Sequence, residues 1–346
     1  MEKRPLGRSG LEVSAICLGT MTWGEQNTQE EGFAQMDTAF DRGVTFWDAA
    51  EMYPVAPRAE TYGRTEEIIG NWFASRGRRD RVILASKVVG PGSRFPHVRD
   101  GNPRLDRKNI LAAVDASLKR LQTDYIDLYQ LHWPDRNANI FGNLTYRHDP
   151  EEEMTPLEGT LGALDEVVKA GKVRHVGVSN ETPWGLMKYL ALSDAGGGPR
   201  MVSIQNSYNL INRTFEMALA EVAHREDCGL LAYAPVAAGA LTGKYLGGRK
   251  PEGARMTLFP QNTRYFTDQG IAATAEYVAL AEKHGLKPSQ MAGAFVYSRP
   301  FVTASIVGAT TLEQLELQFE AAELELSEEV LEEIEAIHAR YTYPCS

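Results

Sequence analysis

The sequence predicts an α/β chain folded as a (β/α)8 TIM barrel with a short N-terminal β-hairpin. Three observations predict it: eight short apolar runs, amphipathic helical patterns between them, and polar residues where the runs end. The runs are 15–20 (AICLGT), 44–49 (VTFWDA), 82–87 (VILASK), 126–132 (IDLYQLH), 173–179 (VRHVGVS), 202–206 (VSIQN), 230–234 (LLAYA) and 302–308 (VTASIVG). They are rich in Val, Ile and Leu and mostly continuous, as expected of parallel strands covered on both faces. Strands alternating with helices imply βαβ units, and eight such units fit a closed barrel better than an open sheet.

The connecting elements carry their own indications. Residues 2–13, with an Arg8-Ser9-Gly10 turn, read as a small hairpin capping the end of the barrel opposite the site. Residues 106–121 place Ile110, Val114, Leu118 and Leu121 on one helical face behind an Asp106 N-cap. Residues 155–171 open on Thr155-Pro156-x-Glu158, which reads as a capping box with proline at the first helical position, and close at Gly171. Thr311-x-x-Gln314 reads as a second capping box, directly after the last strand. Residues 133–154 and 245–270 lack periodicity. Both follow strands, so both are expected as functional loops on the C-terminal face of the barrel. Neither an internal repeat nor a linker interrupts the rhythm, and residues 1–346 read as one domain.

Composition narrows the function. The chain is 43% hydrophobic and 24% charged, with a formal net charge of −10. An acidic chain repels nucleic-acid backbones and anionic membranes, so neither is expected as a partner. Cys17, Cys228 and Cys345 are far apart and form no CxxC pair, which suits a reducing, cytoplasmic setting and argues against a disulfide framework and a cysteine zinc site. No signal peptide or transmembrane helix is expected from the patterning.

In such a barrel, reactive groups gather at the C-terminal ends of the strands. Those ends carry Thr20, Asp48, Lys87, His132, Ser179-Asn180, Gln205-Asn206, Tyr233 and Gly308, and Tyr53 follows Asp48 in a loop. Singly, Asp48 could cap a helix, Lys87 could snorkel, and His132 and Tyr53 could simply pack. Together they bring an acid, an amine, an imidazole and a phenol to one rim, and crowding charges without purpose is costly. A free phenol has a pKa of about 10, and a nearby ammonium stabilises the phenolate. The set offers no activated serine or cysteine and no cluster of metal ligands. It favours general-acid chemistry. The last strand enters Gly308-Ala309-Thr310-Thr311 and a capped helix, whose start suits an anion such as a cofactor phosphate. A second anion candidate is 235–244, with Gly239, Gly243 and Lys244, joined by Arg255; it matches neither the Walker nor the GxGxxG spacing.

At these residues the chain resembles the aldo-keto reductase superfamily, in particular its branch with potassium-channel β-subunits and bacterial reductases. The matching pieces are GRSGLEVSAICLGT, FWDAAEMY, LASK, DYIDLYQLHWPD, GKVRHVGVSN, IQNSYNL, YAPVAAGALTGKY and IVGATTLEQ. The resemblance implies a catalytic tetrad of Asp48, Tyr53, Lys87 and His132, with Tyr53 the proton donor. It implies that Ser179, Asn180 and Gln205 hold a nicotinamide carboxamide and that Tyr233 stacks on its ring. Gly19, Thr20, Met21 and Asp48 join that cofactor set. Ala234, Pro235, Val236, Ala237, Ala238, Gly239, Ala240, Leu241, Thr242, Gly243 and Lys244 match the loop that folds over the pyrophosphate. Arg255, Gly308, Thr310, Gln314 and Gln318 match contacts to the adenosine half and its 2′-phosphate, which implies NADPH rather than NADH. The chain departs from the family at Leu317 and Gln318, where a glutamate and an asparagine are usual, and at Met21, where some relatives carry tryptophan.

The leading expectation is therefore an NADPH-dependent reductase of a small-molecule carbonyl substrate. Competing readings are an NADPH-binding regulatory module with slow turnover, and a barrel lyase or isomerase that needs no nicotinamide. A change of fluorescence on mixing with NADPH separates the last from the others. The loops 133–154 and 245–270, the tail Tyr341-Thr342-Tyr343, and Trp23 and Trp133 are expected to wall the substrate pocket, with a weak preference for hydrophobic or aromatic carbonyls.

Overall fold

The computed structural model describes residues 1–92 and 95–345. Among the described residues ten strands are present: β1 (Lys3–Pro5), β2 (Glu12–Ser14), β3 (Ile16–Gly19), β4 (Phe46–Asp48), β5 (Ile83–Val88), β6 (Ile126–Leu131), β7 (Val173–Ser179), β8 (Met201–Ser207), β9 (Gly229–Tyr233) and β10 (Val302–Val307). β1 and β2 form an antiparallel hairpin, and β3 to β10 close into a parallel barrel with β10 pairing back onto β3. The expected fold is thus the observed one. The surrounding helices are α1 (Gln29–Asp41), α2 (Arg64–Arg76), α3 (Arg107–Leu121), α4 (Leu157–Lys169), α5 (Pro183–Asp194) and α6 (Leu219–Arg225). They continue with α7 (Arg255–Leu258), α8 (Asp268–Lys283), α9 (Pro288–Tyr297), α10 (Leu312–Ala321) and α11 (Glu328–Arg340). Among the described residues no helix is long and apolar enough to cross a membrane.

The strand runs read as continuous because both faces are buried, yet their two faces do different things. Leu18, Trp47, Leu84, Tyr129, Val176 and Ile204 pack outward in the cluster shared with the helices. Cys17, Phe46, Ala85, Leu128, Leu231 and Ala304 pack inward as a separate apolar plug, with Leu6 and Val13 of the hairpin beneath it. The hairpin therefore seals the N-terminal end of the barrel. Side chains on a strand alternate, so residues two positions further on face inward again, one tier higher. Asp48, Lys87 and Gln130 stand two positions after Phe46, Ala85 and Leu128. The polar tier of the site thus rests directly on the apolar plug.

Helix signals were read with mixed success. Asp106 caps α3 as expected, accepting from Asn109 N. The box expected at Thr155 is absent: α4 begins at Leu157 with no side-chain cap, and Thr155 Oγ1 donates instead to Asp135 Oδ2 at 2.6 Å. That bond orients the hydroxyl toward Asp135, and its oxygen accepts from none of the free amides of α4. Thr311 does cap α10 through Gln314 N, but the Gln314 side chain accepts from Thr310 N and Oγ1 rather than from Thr311, so only half of that box forms. A complete capping box lies elsewhere, between Thr28 and Glu31 at the start of α1. Among residues 245–270, two short turns of helix appear at 246–248 and 255–258, whereas 133–154 contains neither helix nor strand.

Candidate active site

The tetrad expected from sequence comes together at the C-terminal mouth of the barrel. Lys87, fully buried on β5, donates to Asp48 Oδ2 at 2.5 Å, to Ala49 O at 2.9 Å and to Tyr53 OH at 3.4 Å. Its ammonium also lies 4.8 Å from the centre of the Tyr53 ring. Asp48 Oδ1 accepts from Gln205 Nε2 at 2.9 Å and Gln130 Nε2 at 3.2 Å. These donors and the adjacent ammonium offset the cost of burying the carboxylate. His132 sets its ring edge-on to Tyr53, with centroids 5.8 Å apart, and packs 4.9 Å from Trp133.

Burial and neighbouring charges shift Lys87, Tyr53 and His132 in definite directions. Burial works against the charge of Lys87, but Asp48 and Tyr53 outweigh it and hold its pKa above the ordinary lysine value. Burial raises the Tyr53 phenol above its usual value of 10.0, and the downward pull of Lys87 only partly offsets this. The expectation that lysine lowers the phenol is right about the pair and wrong about the net: desolvation wins. Burial, reinforced by Lys87, drops His132 well below 6.5, so its ring is neutral. Its Nδ1 is buried with no partner among the described residues. The arrangement is a protonated phenol beside a fixed cation and a neutral imidazole, which is suited to giving up one proton.

Gly19, Ser179 and Tyr233 of the expected cofactor set end the barrel strands β3, β7 and β9 on the same rim. Thr20 Oγ1 donates to Asp48 O at 2.8 Å, Gly19 pairs with Asp48 in register, and Met21 O accepts from Val55 N. Ser179 Oγ donates to Gln205 O, while Asn180, at φ +52, donates to His132 O. Tyr233 OH donates to Asn180 Oδ1 at 2.7 Å and accepts from Arg264 at 3.2 Å. In the loop after β9, Ala234, Ala237 and Ala238 all have positive φ (58, 49 and 55), as do Gly239 and Gly243. Three alanines in the left-handed region cost about 1–3 kcal/mol each and mark a loop held for a purpose. At Gly239 an added Cβ would meet Lys244 Cε at 2.9 Å, so the glycine lets Lys244 lie across the loop. Lys244 and Arg255 are partly desolvated, which lowers both pKa values, and among the described residues neither has a carboxylate partner. Arg255 reaches Gln26 Oε1 at 3.4 Å and lies close enough to pull on the Tyr53 phenol.

At the other anion candidate, Gly308 is exposed after β10, and Gln314 is exposed on α10. Gln318 lies one turn further along α10. It is buried against α9, where Nε2 donates to Ser289 O at 3.2 Å and Oε1 has no partner among the described residues. Two expected pocket walls are corrected. Trp23 is fully buried behind the barrel, its indole bonded to Gln35 Oε1 at 3.0 Å, because the loop after β3 folds down onto α1 and α2. Tyr341 and Tyr343 turn outward, toward Glu276 and His338; the tail residues that meet the loop 245–270 are Pro344 and Cys345, through Thr267. Trp133 belongs to an apolar group with Met52, Val89, Phe95 and Val98 against which Tyr53 and Val55 pack.

Sequence reading missed Gln130, Glu51, Arg99 and Glu181. Gln130 was hidden inside an apolar run, where a polar residue two positions before His132 was the available clue. Glu181 is buried and bridged by Arg136, which ties the start of the loop 133–154 to the end of β7.

Comparison with known proteins finds relatives along almost the whole chain. Residues 15–339 match the Aldo/keto reductase family. The chain is 52% identical to "Protein tas" of Escherichia coli (strain K12) over 344 residues, 99% of each chain. It is 35% identical to "Uncharacterized oxidoreductase YrpG" of Bacillus subtilis (strain 168), covering 96% of this chain and 94% of that one. It is 31% identical to "L-glyceraldehyde 3-phosphate reductase" of Escherichia coli (strain K12), covering 93% and 87%.

Proposed function

This chain belongs to the aldo/keto reductase family, and on that premise we propose that it reduces aldehydes or ketones to alcohols with NADPH, with Tyr53 as general acid. The observation that carries the reading is the buried Asp48–Lys87–Tyr53 relay beside a neutral His132. A bound nicotinamide supplies the hydride. The chain's own residues handle the proton. Tyr53 donates it to the carbonyl oxygen as negative charge develops there, and the Lys87 ammonium stabilises the phenolate left behind. Asp48 fixes the ammonium, and Gln130 and Gln205 fix Asp48. A neutral imidazole can donate a hydrogen bond to the carbonyl oxygen without competing to protonate it. Trp133, Phe95 and Met52 keep water from the phenol and favour an apolar or aromatic group on the carbonyl carbon.

The residues present fit a dinucleotide phosphate. The positive-φ loop 234–243 offers close backbone approach, and Lys244 and Arg255 have no carboxylate partner among the described residues, as an anion-binding surface requires. Arg255 supports the phosphorylated cofactor over NADH, since a guanidinium takes phosphate with paired hydrogen bonds. The test is a panel of aldehydes and ketones with NADPH and NADH. No cofactor oxidation with any carbonyl, although the protein is folded, would refute the reading.

A further inference from the structure

Two residues before Tyr53, a second buried carboxylate faces away from the reacting groups. Glu51 is completely buried. Its Oε1 accepts from Val89 N at 2.7 Å and Arg99 Nη2 at 2.8 Å, and its Oε2 from Tyr62 OH and Arg99 Nη1, both at 2.6 Å. Four donors fill the acceptor positions a carboxylate offers. The backbone of the same residue donates to Lys87 O at 3.2 Å. Glu51 thus grips the end of β5 at Lys87 through its main chain and the residue just beyond it, Val89, through its side chain. Lys87 returns the contact through Ala49 O. The loop that carries Tyr53 and the strand end that carries Lys87 are fastened together at 49, 51, 87 and 89.

Arg99 makes that fastening possible. An unpaired buried carboxylate is strongly unfavourable, and the fork of Arg99 neutralises it with two parallel bonds. Arg99 is itself anchored, with Nε donating to Asn109 Oδ1 at 2.7 Å, and Asn109 belongs to the capped first turn of α3. Arg99 and Asp100 have φ of +46 and +61, a conformation that non-glycine residues adopt at a cost. The chain accepts that strain to deliver a guanidinium beneath the Tyr53 loop. The hydrogen bond between the Tyr53 hydroxyl and Lys87 is 3.4 Å long, so a small shift of the loop would break it.

We propose that Glu51 and Arg99 are positioning residues that set the Tyr53 hydroxyl against Lys87 for proton transfer. Neither touches the reacting atoms, and the role rests on the carbonyl-reductase reading above. A misplacement of about 1 Å can cost about 100-fold in rate. Glu51→Gln is therefore expected to lower kcat by about 10- to 100-fold while NADPH binding, followed by fluorescence, stays near the wild-type value. The decisive readout is isotopic. When the phenol is displaced, proton transfer limits the rate. The solvent deuterium effect on kcat then rises, and the effect of deuterium at the transferred position of the cofactor falls. A variant that merely unfolds in part lowers kcat without moving either isotope effect.

Arg99→Lys, which keeps the charge and loses the fork, is expected to shift the isotope effects in the same direction with a smaller loss of rate. Tyr62→Phe removes one donor of four and leaves the ion pair, so it supplies a folded test should Glu51→Gln not fold; a rise in its solvent effect supports the role. Wild-type turnover with isotope effects unchanged in these variants overturns the positioning role alone. Absence of carbonyl reduction in the wild type overturns the reaction and the role with it.

Discussion

Replacing Tyr53 with phenylalanine separates chemistry from architecture at this site. The substitution deletes one hydroxyl and keeps the ring, which sits edge-on to His132 at 5.8 Å and packs on the apolar group around Trp133. The lost contact is the 3.4 Å bond from Lys87, which is long for such a pair, so the cost to stability should not exceed about 1 kcal/mol. Lys87 retains Asp48 and Ala49 O, so no buried charge is stranded. The cost to catalysis is of another size. A positioned general acid contributes about 10²–10⁴-fold, or about 2.7–5.4 kcal/mol of activation free energy. The assay follows loss of NADPH absorbance at saturating aldehyde, with cofactor affinity by fluorescence and stability by urea denaturation on the same preparations. The expected result is a loss of kcat by at least about two orders of magnitude with the other two nearly unchanged. Carbonyl reduction at the wild-type rate by Tyr53→Phe would refute the mechanism.

Other perturbations test other parts of the structure. In the wild type, burial holds the Tyr53 pKa above 10.0, and reduction needs the protonated phenol; kcat should therefore show no loss from this group until the pH rises beyond 10.0, as a pH–rate profile would reveal. Lys244→Met should weaken NADPH binding by about 10- to 150-fold, the worth of one charged hydrogen bond of about 1.5–3 kcal/mol, and Arg255→Gln should narrow the gap between NADPH and NADH in fluorescence titrations. His132 is held neutral with a folded pKa well below 6.5, so the unfolded chain binds its proton first on acidification. Stability owed to this group is complete above pH 6.5 and falls below it by up to about 1.4 kcal/mol per pH unit; His132→Asn should flatten that slope in urea melts. Gly70 lies where α2 meets α3, and a Cβ there would come within 2.2 Å of Arg120 O. Gly70→Ala should cost about 1–3 kcal/mol, measured by the same melts, because the backbones must move apart.

Sequence reading succeeded where periodicity and local chemistry decide, and failed where a partner had to be chosen. The barrel strands lie on the apolar runs because burial on both faces leaves a pattern that needs no knowledge of neighbours. Asp106 capped its helix because the amide it serves lies three residues away. Thr155 had the same local credentials, yet Asp135, twenty residues earlier in the chain, took its hydroxyl. Trp23 looked like a pocket wall because it follows a strand end; the descent of its loop onto α1 and α2 is a tertiary fact. Glu51 stood in full view beside Tyr53, but only Arg99, 48 residues on, makes a buried carboxylate tolerable there.

By itself, the sequence determined the barrel and which side chains stand at its C-terminal mouth, because strand alternation carries Asp48 and Lys87 inward one tier above an apolar plug. Only the tertiary structure decided what those side chains do to one another. Asp48 draws on Lys87, Gln130 and Gln205, residues 39, 82 and 157 positions away that closure of the barrel brings to a single carboxylate. The balance at Tyr53, where burial outweighs Lys87 and keeps the phenol protonated, is likewise a property of the closed mouth. Desolvation depends on everything packed around a group, and no stretch of chain encodes it alone.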